Sequence, residues 1–335
     1  MAKNSILKAS VLTEVVNRIT LAPIPGEGLF KEQKTSSNEY EYGAIPDDQT
    51  AASYRLTTTP AGENDVTQQA RYVVTIPHLR ERMPVPGKYW AWASSPNSRE
   101  QNDARYWFVK HLESLKKKIA RRKAISLWEG LRTGKVVATI DDVSVDLNFD
   151  VNSDYSGNFS NDAGTMWDTV ATATVLEDIT TAKQTIAQNS DVGEVDAYMT
   201  SNVPPLIMQN ELLQTAIEGF ASMKDKYAIT GEIPKFQGVN WNIVDQGWKN
   251  ASGTFRRYIN GDVANDEFII FVAKGSPLGQ KIMAPCVDPD ANGVHGEYAQ
   301  AYTEKNPPAK ILSVEDNIFY APERVEGIYV LRVKT

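Results

Sequence analysis

Apolar positions along this chain follow two periods, and the switch between them divides it. Over residues 6–19 they recur at helical spacing, with Leu7, Val11, Val15 and Ile19 on one side, or alternatively Leu12 and Val16. Ala22-Pro23-Ile24-Pro25-Gly26 stops that helix, since proline and glycine both end helices. Residues 35–96 then form a long polar stretch in which no helix is expected. Residues 53–59 alternate, with Tyr54, Leu56 and Thr58 on one face; residues 70–76 alternate again, with Tyr72, Val74 and Ile76. The polar cluster Pro60-Ala61-Gly62-Glu63-Asn64-Asp65 separates them, so the pair reads as a β-hairpin with a long loop. Two strands alone are marginal in water. This hairpin needs a surface, either a neighbouring copy or a distant part of the same chain.

The helical period returns over residues 102–133. Phe108, Leu112, Leu115 and Ile119 make one stripe; Ala120, Ala124, Leu127 and Leu131 continue it one position on. The offset predicts a long helix whose apolar face precesses, or a bent one, closed by Gly134. Residues 136–149 read as a hairpin turning at Asp141-Asp142. A second helix is expected over 166–187, on Trp167, Val170, Thr174, Ile179, Ala182 and Ile186, with Thr165 and Asp168 as a capping box. A short strand follows at 194–199, and Pro204-Pro205 opens a third helix carrying Leu206, Leu213, Ile217 and Phe220. The last third reads as strands at 239–244, 254–259, 267–273, 311–314 and 328–333. Strands and helices segregate rather than alternate, which makes the fold class α+β.

Composition sharpens this. At 335 residues and 41% hydrophobic, the chain can bury a sizeable core. Its net charge of −7 disfavours sequence-independent nucleic-acid binding, yet suits a surface that sits near DNA without adsorbing it. Against that background the 102–133 helix carries nine basic and three acidic side chains. That face is either simply solvated or meets acidic neighbours or DNA. The single cysteine, Cys286, rules out an internal disulfide and a cysteine-based zinc site. The first residues do not form a signal peptide and no 18-residue apolar run occurs, so a soluble protein used without export is expected.

Candidate chemistry is sparse. Asp288-Pro289-Asp290-Ala291-Asn292-Gly293 matches the first half of a calcium loop, but position twelve is Ala299, where a bidentate Glu is required. An exposed turn is the expectation. His78, His111 and His295 lie in no ligand-spaced pair, and Cys286 has no visible base, so it reads as a small buried hydrophobe. The tryptophans are dispersed and read as core. No catalytic, cofactor-binding or metal-ligating residue is assigned, no cofactor is expected, and the chain is not read as an enzyme.

The order of elements is N-terminal arm, extended hairpin, long basic helix ending in glycine, second hairpin, α/β unit, late strands. It resembles tailed-phage major capsid proteins of the Hong Kong 97 type, and among them the lambda-like major capsid protein E family. Arg71-Tyr72-Val73-Val74-Thr75-Ile76-Pro77-His78-Leu79 resembles the return strand of the family's E-loop. Ala120-Arg121-Arg122-Lys123-Ala124 through Leu131-Arg132-Thr133-Gly134 resembles the end of the spine helix. Met166-Trp167 and the helix after it resemble an A-domain helix, and Tyr258-Ile259-Asn260-Gly261-Asp262 resembles the late A-domain.

The resemblance implies an N-terminal arm (1–34), an E-loop with its connections (35–100), a P-domain spine helix and hairpin (101–160), a mainly A-domain region (161–310) and return strands to the P-domain (311–335). It implies a head protein that assembles with itself into hexamers and pentamers of an icosahedral shell. The shell would enclose double-stranded DNA without sequence-specific binding or membrane contact, within the virion capsid and after assembly in the host cytoplasm. The expected inter-subunit contacts are Tyr54, Glu63, Asp65, Arg71 and Tyr72 of the hairpin with Lys116, Lys117, Arg121 and Arg122 of the helix. No lysine occurs between Lys34 and Lys88, so the isopeptide lock of some relatives is not expected. The arm begins almost at once, so the expected partners are a separate scaffolding protein, a portal and, where one exists, a decoration protein. The rival readings are an encapsulin-type nanocompartment shell and, further off, a carbohydrate-binding or hydrolytic protein.

Overall fold

A computed structural model describes residues 6–44, 70–140, 143–149, 155–216, 219–263, 265–275 and 277–335. In chain order the elements are α1 (Ala9–Arg18), β1 (Phe30–Lys34), β2 (Glu39–Ala44), β3 (Ala70–Thr75), β4 (Leu79–Pro84), α2 (Gly87–Trp92), α3 (Ser98–Thr133), β5 (Lys135–Ile140), β6 (Val143–Asn148), β7 (Asn161–Asp162), α4 (Val175–Ser190), β8 (Val195–Met199), α5 (Val203–Gln209), α6 (Glu211–Ala216), α7 (Phe220–Thr230), β9 (Val239–Ile243), β10 (Gly247–Lys249), β11 (Phe255–Arg257), β12 (Glu267–Ala273), β13 (Gly279–Met283), β14 (Tyr298–Lys305), β15 (Pro308–Asp316), β16 (Ile318–Pro322) and β17 (Ile328–Lys334).

The long helix α3 organises the body. Its 36 residues span about 54 Å at 1.5 Å per residue. The offset between its two apolar stripes is a change of partner. Phe108, Leu112, Leu115 and Ile119 pack with Leu12 and Val16 of α1 and with Ala299, Leu312 and Val314 of β14 and β15. Ala124, Leu127, Trp128 and Leu131 pack instead on Ile270, Val272, Ile328 and Val330. Asn97 caps the helix by accepting from the Arg99 N–H, and Gly134 closes it at φ 67°, where a side chain is strained.

The largest sheet has the order β7-β17-β12-β8-β9. β12 is antiparallel to both β8 and β17, and β9 runs parallel to β8. Alternation along β12 sends Ile270 and Val272 toward α3, while Ile269 and Phe271 face the core built with Ile179, Ala182 and Ile186 of α4. A three-stranded sheet β14-β15-β4 lies beside the first half of α3; another, β1-β13-β16, contributes Ile282 and Phe319 to a core with the β5–β6 hairpin.

Several expectations are corrected. The stretch 35–96 holds a short helix, α2, whose Tyr89 stacks on Trp107 at 5.0 Å. The expected return strand is β3, but its described partner is β2, with Tyr40 opposite Val74 and Tyr42 opposite Tyr72. Residues 53–59 lie outside the described set. The second helix begins at Val175 rather than near 166, because Trp167 is drawn into the sheet edge through its N–H to the Val333 carbonyl. No capping box forms at Thr165 and Asp168. Instead the Asp178 carboxylate accepts from the Gly164 N–H, the Thr174 hydroxyl and the Trp167 indole. The third helix is three short ones, broken first at Asn210, whose fully buried side chain accepts the Leu213 N–H. Within 311–335, β15 flanks α3 and β17 lies inside the five-stranded sheet, buried almost throughout; this placement does not test the domain division. The described part of the arm folds back on its own chain: α1 lies on β14 and α3, and β1 pairs in parallel with β13.

Candidate inter-subunit surface

The basic residues of α3 separate into three groups. Lys116 is committed within the chain. Its ammonium donates to the Val16 and Ile19 carbonyls at 3.0 and 2.7 Å and meets Glu297 at 2.6 Å. It therefore caps the last turn of α1, which explains why it is not free for a neighbour. Lys123 is buried against Asp316. The exposed remainder is Arg99, Arg105 and Lys110 toward the start of the helix and, further along it, Lys117, Lys118, Arg121 and Arg122. Lys117 pairs with Glu113 one turn back, Lys118 reaches Glu81 at 3.3 Å, and Arg122 donates to the Val137 carbonyl at 3.4 Å. Exposed pairs of this kind hold their charges loosely. Arg121 has no hydrogen bond or ion pair among the described residues.

Arg121 stands between two grooves. One, of about 220 Å³, lies between the Leu21–Pro25 segment, α3 and Tyr258. Burial pushes the Tyr258 phenol up, opposed by the nearby Arg121 charge. The other, of about 560 Å³, runs from Glu81, Lys118 and Arg122 to Trp248, Lys249 and Phe255 of the β10–β11 hairpin. That hairpin is anchored from below. Trp248 stacks on Tyr258 at 5.7 Å, and Arg257 reaches Asp245 and buried Glu267 at 3.3 and 3.8 Å. Glu267 is in turn satisfied by Thr200, Asn202 and Asn260. Phe255 is left 54% exposed at the groove wall. Sequence reasoning missed Lys249 and Phe255, because only the chain reversal at 250–254 brings them beside α3.

The β2–β3 ribbon is the second half of the surface. Arg71 and Tyr72 lie on β3, opposite Gly43 and Tyr42, with side chains outside the described set, as are Tyr54, Glu63 and Asp65 altogether. Val73 is 66% exposed. At the ribbon's root, the Tyr40 hydroxyl donates to Glu323 at 2.8 Å, and burial together with Glu323 pushes that phenol up. The structure thus brings Lys117, Arg121 and Arg122 onto one exposed face and removes Lys116 from it.

The other sequence candidates have structural positions. Asp288 caps a single turn by accepting the Asp290 N–H at 3.0 Å, and it also accepts from Gln300. Among the described residues, no cluster of three or more His, Cys, Asp or Glu is arranged to hold a metal. Cys286 is buried, its thiol donates to the Gly296 carbonyl at 3.2 Å, and burial followed by the Glu315 charge pushes it up to about 12. A neutral thiol is a poor nucleophile. His111 stacks on Trp107 at 3.9 Å. No helix among the described residues is long and apolar enough to cross a membrane.

The family model for phage major capsid protein E matches residues 8–333. The chain belongs to that family. A phage major capsid protein is the shell-forming subunit of a viral head, so the nanocompartment and carbohydrate readings are not favoured, and the chain belongs to a structural family. No curated protein sequence matches it. Among solved structures, a protein described as a prophage capsid protein from E. coli CFT073 is 10% identical, with a TM-score of 0.61 over 98% of this chain and 99% of that one. A phage-related protein from Bordetella bronchiseptica RB50 is also 10% identical, with a TM-score of 0.52 over 96% of each chain. At such identity the likeness speaks for the fold, and it extends over nearly the full length of both compared chains.

Proposed function

We propose that this capsid protein tiles an icosahedral head as hexamers and pentamers around double-stranded DNA, with a scaffolding protein and a portal as assembly partners. In this reading the ribbon of one subunit lies over the exposed basic face of α3 in the next. The observation that carries it is the pairing of family membership across 8–333 with a two-stranded ribbon whose Val73 is left 66% exposed. Charge supports it. Residues 45–69, which link the two ribbon strands, contain Asp47, Asp48, Glu63 and Asp65 against Arg55 alone, and the facing candidates are Lys117, Arg121 and Arg122. Lys116 drops out of this contact.

Reversing two charges tests the reading. The Arg121→Glu, Arg122→Glu double variant is expected to remain folded, with an unchanged melt, and to fail to form shells in electron micrographs. Normal shells that package less DNA would instead assign the face to the genome and overturn it. Because no lysine lies between Lys34 and Lys88, mature shells should hold together without covalent crosslinks. Denaturing mass spectrometry should return chains of monomer mass; a ladder of covalent oligomers would contradict this.

A further inference from the structure

Asparagine followed by glycine is the dipeptide at which a side-chain amide most readily converts itself to an acid, because no side chain on the second residue shields its backbone nitrogen. The chain contains two, Asn260-Gly261 and Asn292-Gly293. The fold treats them oppositely.

Asn260 is locked. It is 7% exposed, its Nδ2 donates to Glu267 at 2.9 Å, and its Oδ1 accepts the Phe268 N–H at 3.4 Å. The Gly261 nitrogen would have to attack, yet its N–H is shared between the Arg257 and Tyr258 carbonyls at 3.2 and 3.3 Å. Room for a new ring is lacking as well: a Cβ on Gly261 would meet the Arg132 guanidinium at 2.7 Å. Reaction there requires the region to open first.

Asn292 is open. It follows the single turn capped by Asp288 and lies on the surface. Its side-chain amide makes one hydrogen bond among the described residues, from Nδ2 to the Asp290 carbonyl at 3.3 Å. The Gly293 N–H makes none among them, and nothing lies within 4 Å of where a Cβ on Gly293 would stand. Asn292 sits at φ 50° and ψ 39°, a left-handed conformation that a residue with a Cβ holds at a cost, so turning out of it toward ring closure is weakly opposed. The chain is fixed on either side instead, by the Ala291 N–H on the Asp288 carbonyl at 3.0 Å and the Cys286 N–H on the Val294 carbonyl at 2.8 Å.

We propose that Asn292-Gly293 is a spontaneous modification site of the folded chain, converting to aspartate and isoaspartate while Asn260-Gly261 is spared. The Gly293 nitrogen attacks Asn292 Cγ. The N–Cγ bond forms, the Cγ–Nδ2 bond breaks, and ammonia leaves with the proton from the Gly293 nitrogen. Water then opens the five-membered imide at either carbonyl, leaving aspartate or isoaspartate at that position. Each conversion adds one negative charge to a turn that already carries Asp288 and Asp290, and the isoaspartyl product also lengthens the backbone by one carbon. The Asp288 carboxylate holds Arg80 of β4 at 3.6 Å and Gln300 of β14, so the altered turn is one that ties two strands of the β14-β15-β4 sheet.

Peptide mapping of the full folded chain tests the site. The chain is held at mildly alkaline pH and then digested with trypsin at mildly acid pH. Cleavage after Lys281 and Lys305 isolates Asn292 in peptide 282–305, and cleavage after Arg257 and Lys274 places Asn260 in peptide 258–274, where fragmentation scores it. Peptide 282–305 should gain the mass that separates an acid from an amide and split into two isomers. Its conversion should outpace that at Asn260 by about ten-fold or more, since a locked site reacts only from its opened population. In guanidinium, with the chain unfolded, both should convert at similar rates. Asn292→Gln, which would have to close a slower six-membered ring, should abolish the change in 282–305. A folded chain whose Asn292 stays intact while the unfolded chain converts, or equal conversion of the two sites in the folded chain, would overturn the proposal.

Discussion

Lys116→Met isolates the tie between the N-terminal helix and α3. Methionine keeps the aliphatic stem and most of the volume, so packing changes little. What disappears is an ammonium 11% exposed, which donates to two α1 carbonyls and pairs with Glu297, itself 18% exposed. Hydrogen bonds to a charged group contribute about 1.5–3 kcal/mol each. Water entering at the half-exposed end of α1 returns part of that. Stranding one member of a buried pair costs about 3–5 kcal/mol, less when the group keeps some solvent. The net expectation is a loss of about 2–4 kcal/mol, read by urea unfolding of the unassembled chain. Amide exchange should rise selectively over residues 9–19. In a Glu297→Gln background the same substitution should cost less, with a coupling of about 1–3 kcal/mol. A loss under about 1 kcal/mol, or full additivity with Glu297→Gln, would refute the tie. Failed assembly of a subunit with unchanged stability would return Lys116 to the inter-subunit face.

Two further substitution and pH effects follow from the body of the fold. Gly134→Ala places a Cβ 2.8 Å from Phe159 Cε2 at φ 67°, and should lower stability by about 1–3 kcal/mol; Gly157→Ala, with nothing within 4 Å, serves as the near-neutral comparison, and equal melts would defeat the argument. Burial pushes the Cys286 thiol from 9.0 up to about 12, and the Tyr198 and Tyr298 phenols from 10.0 up to about 12. The folded chain therefore holds these protons more tightly than the unfolded one. The stability they contribute is complete below about pH 9 and is lost as pH climbs toward 12. Melting temperature followed from pH 8 upward should fall across that window, and Cys286→Ala should flatten the fall; a pH-independent melt would contradict it.

The α3 helix was legible because its apolar residues repeat over many turns and glycine ends it. Even its precessing stripe reported a real change of partner. The short strands β1, β13, β14 and β16 were not legible, for different reasons. β16, Ile318–Pro322, is buried on both faces and shows no alternation. β1 is exposed beyond Phe30 and owes its conformation to β13, some 250 residues away. Trp167 kept a helical period with Ile179, yet its backbone was claimed by β17, an override that local pattern cannot carry. At the candidate surface, charge alone grouped Lys116 with Arg121 and Arg122. Their separation depends on where the C-terminus of α1 lies, which no spacing within α3 encodes. Asn210 was readable in principle, since a buried asparagine before Glu-Leu-Leu is a cap signal.

A shell-forming subunit, packed beside copies of itself, faces a hazard that a monomeric enzyme rarely meets. Any bare strand edge is a template on which the next copy can zip up without limit. β14 is the outermost strand of its sheet, and its Ala299 would offer an N–H and a carbonyl to solvent. The Thr13 hydroxyl accepts from one and donates to the other, both at 3.1 Å. One side-chain oxygen thus imitates a peptide group and terminates the ladder. At Ala299 that edge no longer offers a free N–H and carbonyl, so a further strand pairing there would first have to displace α1.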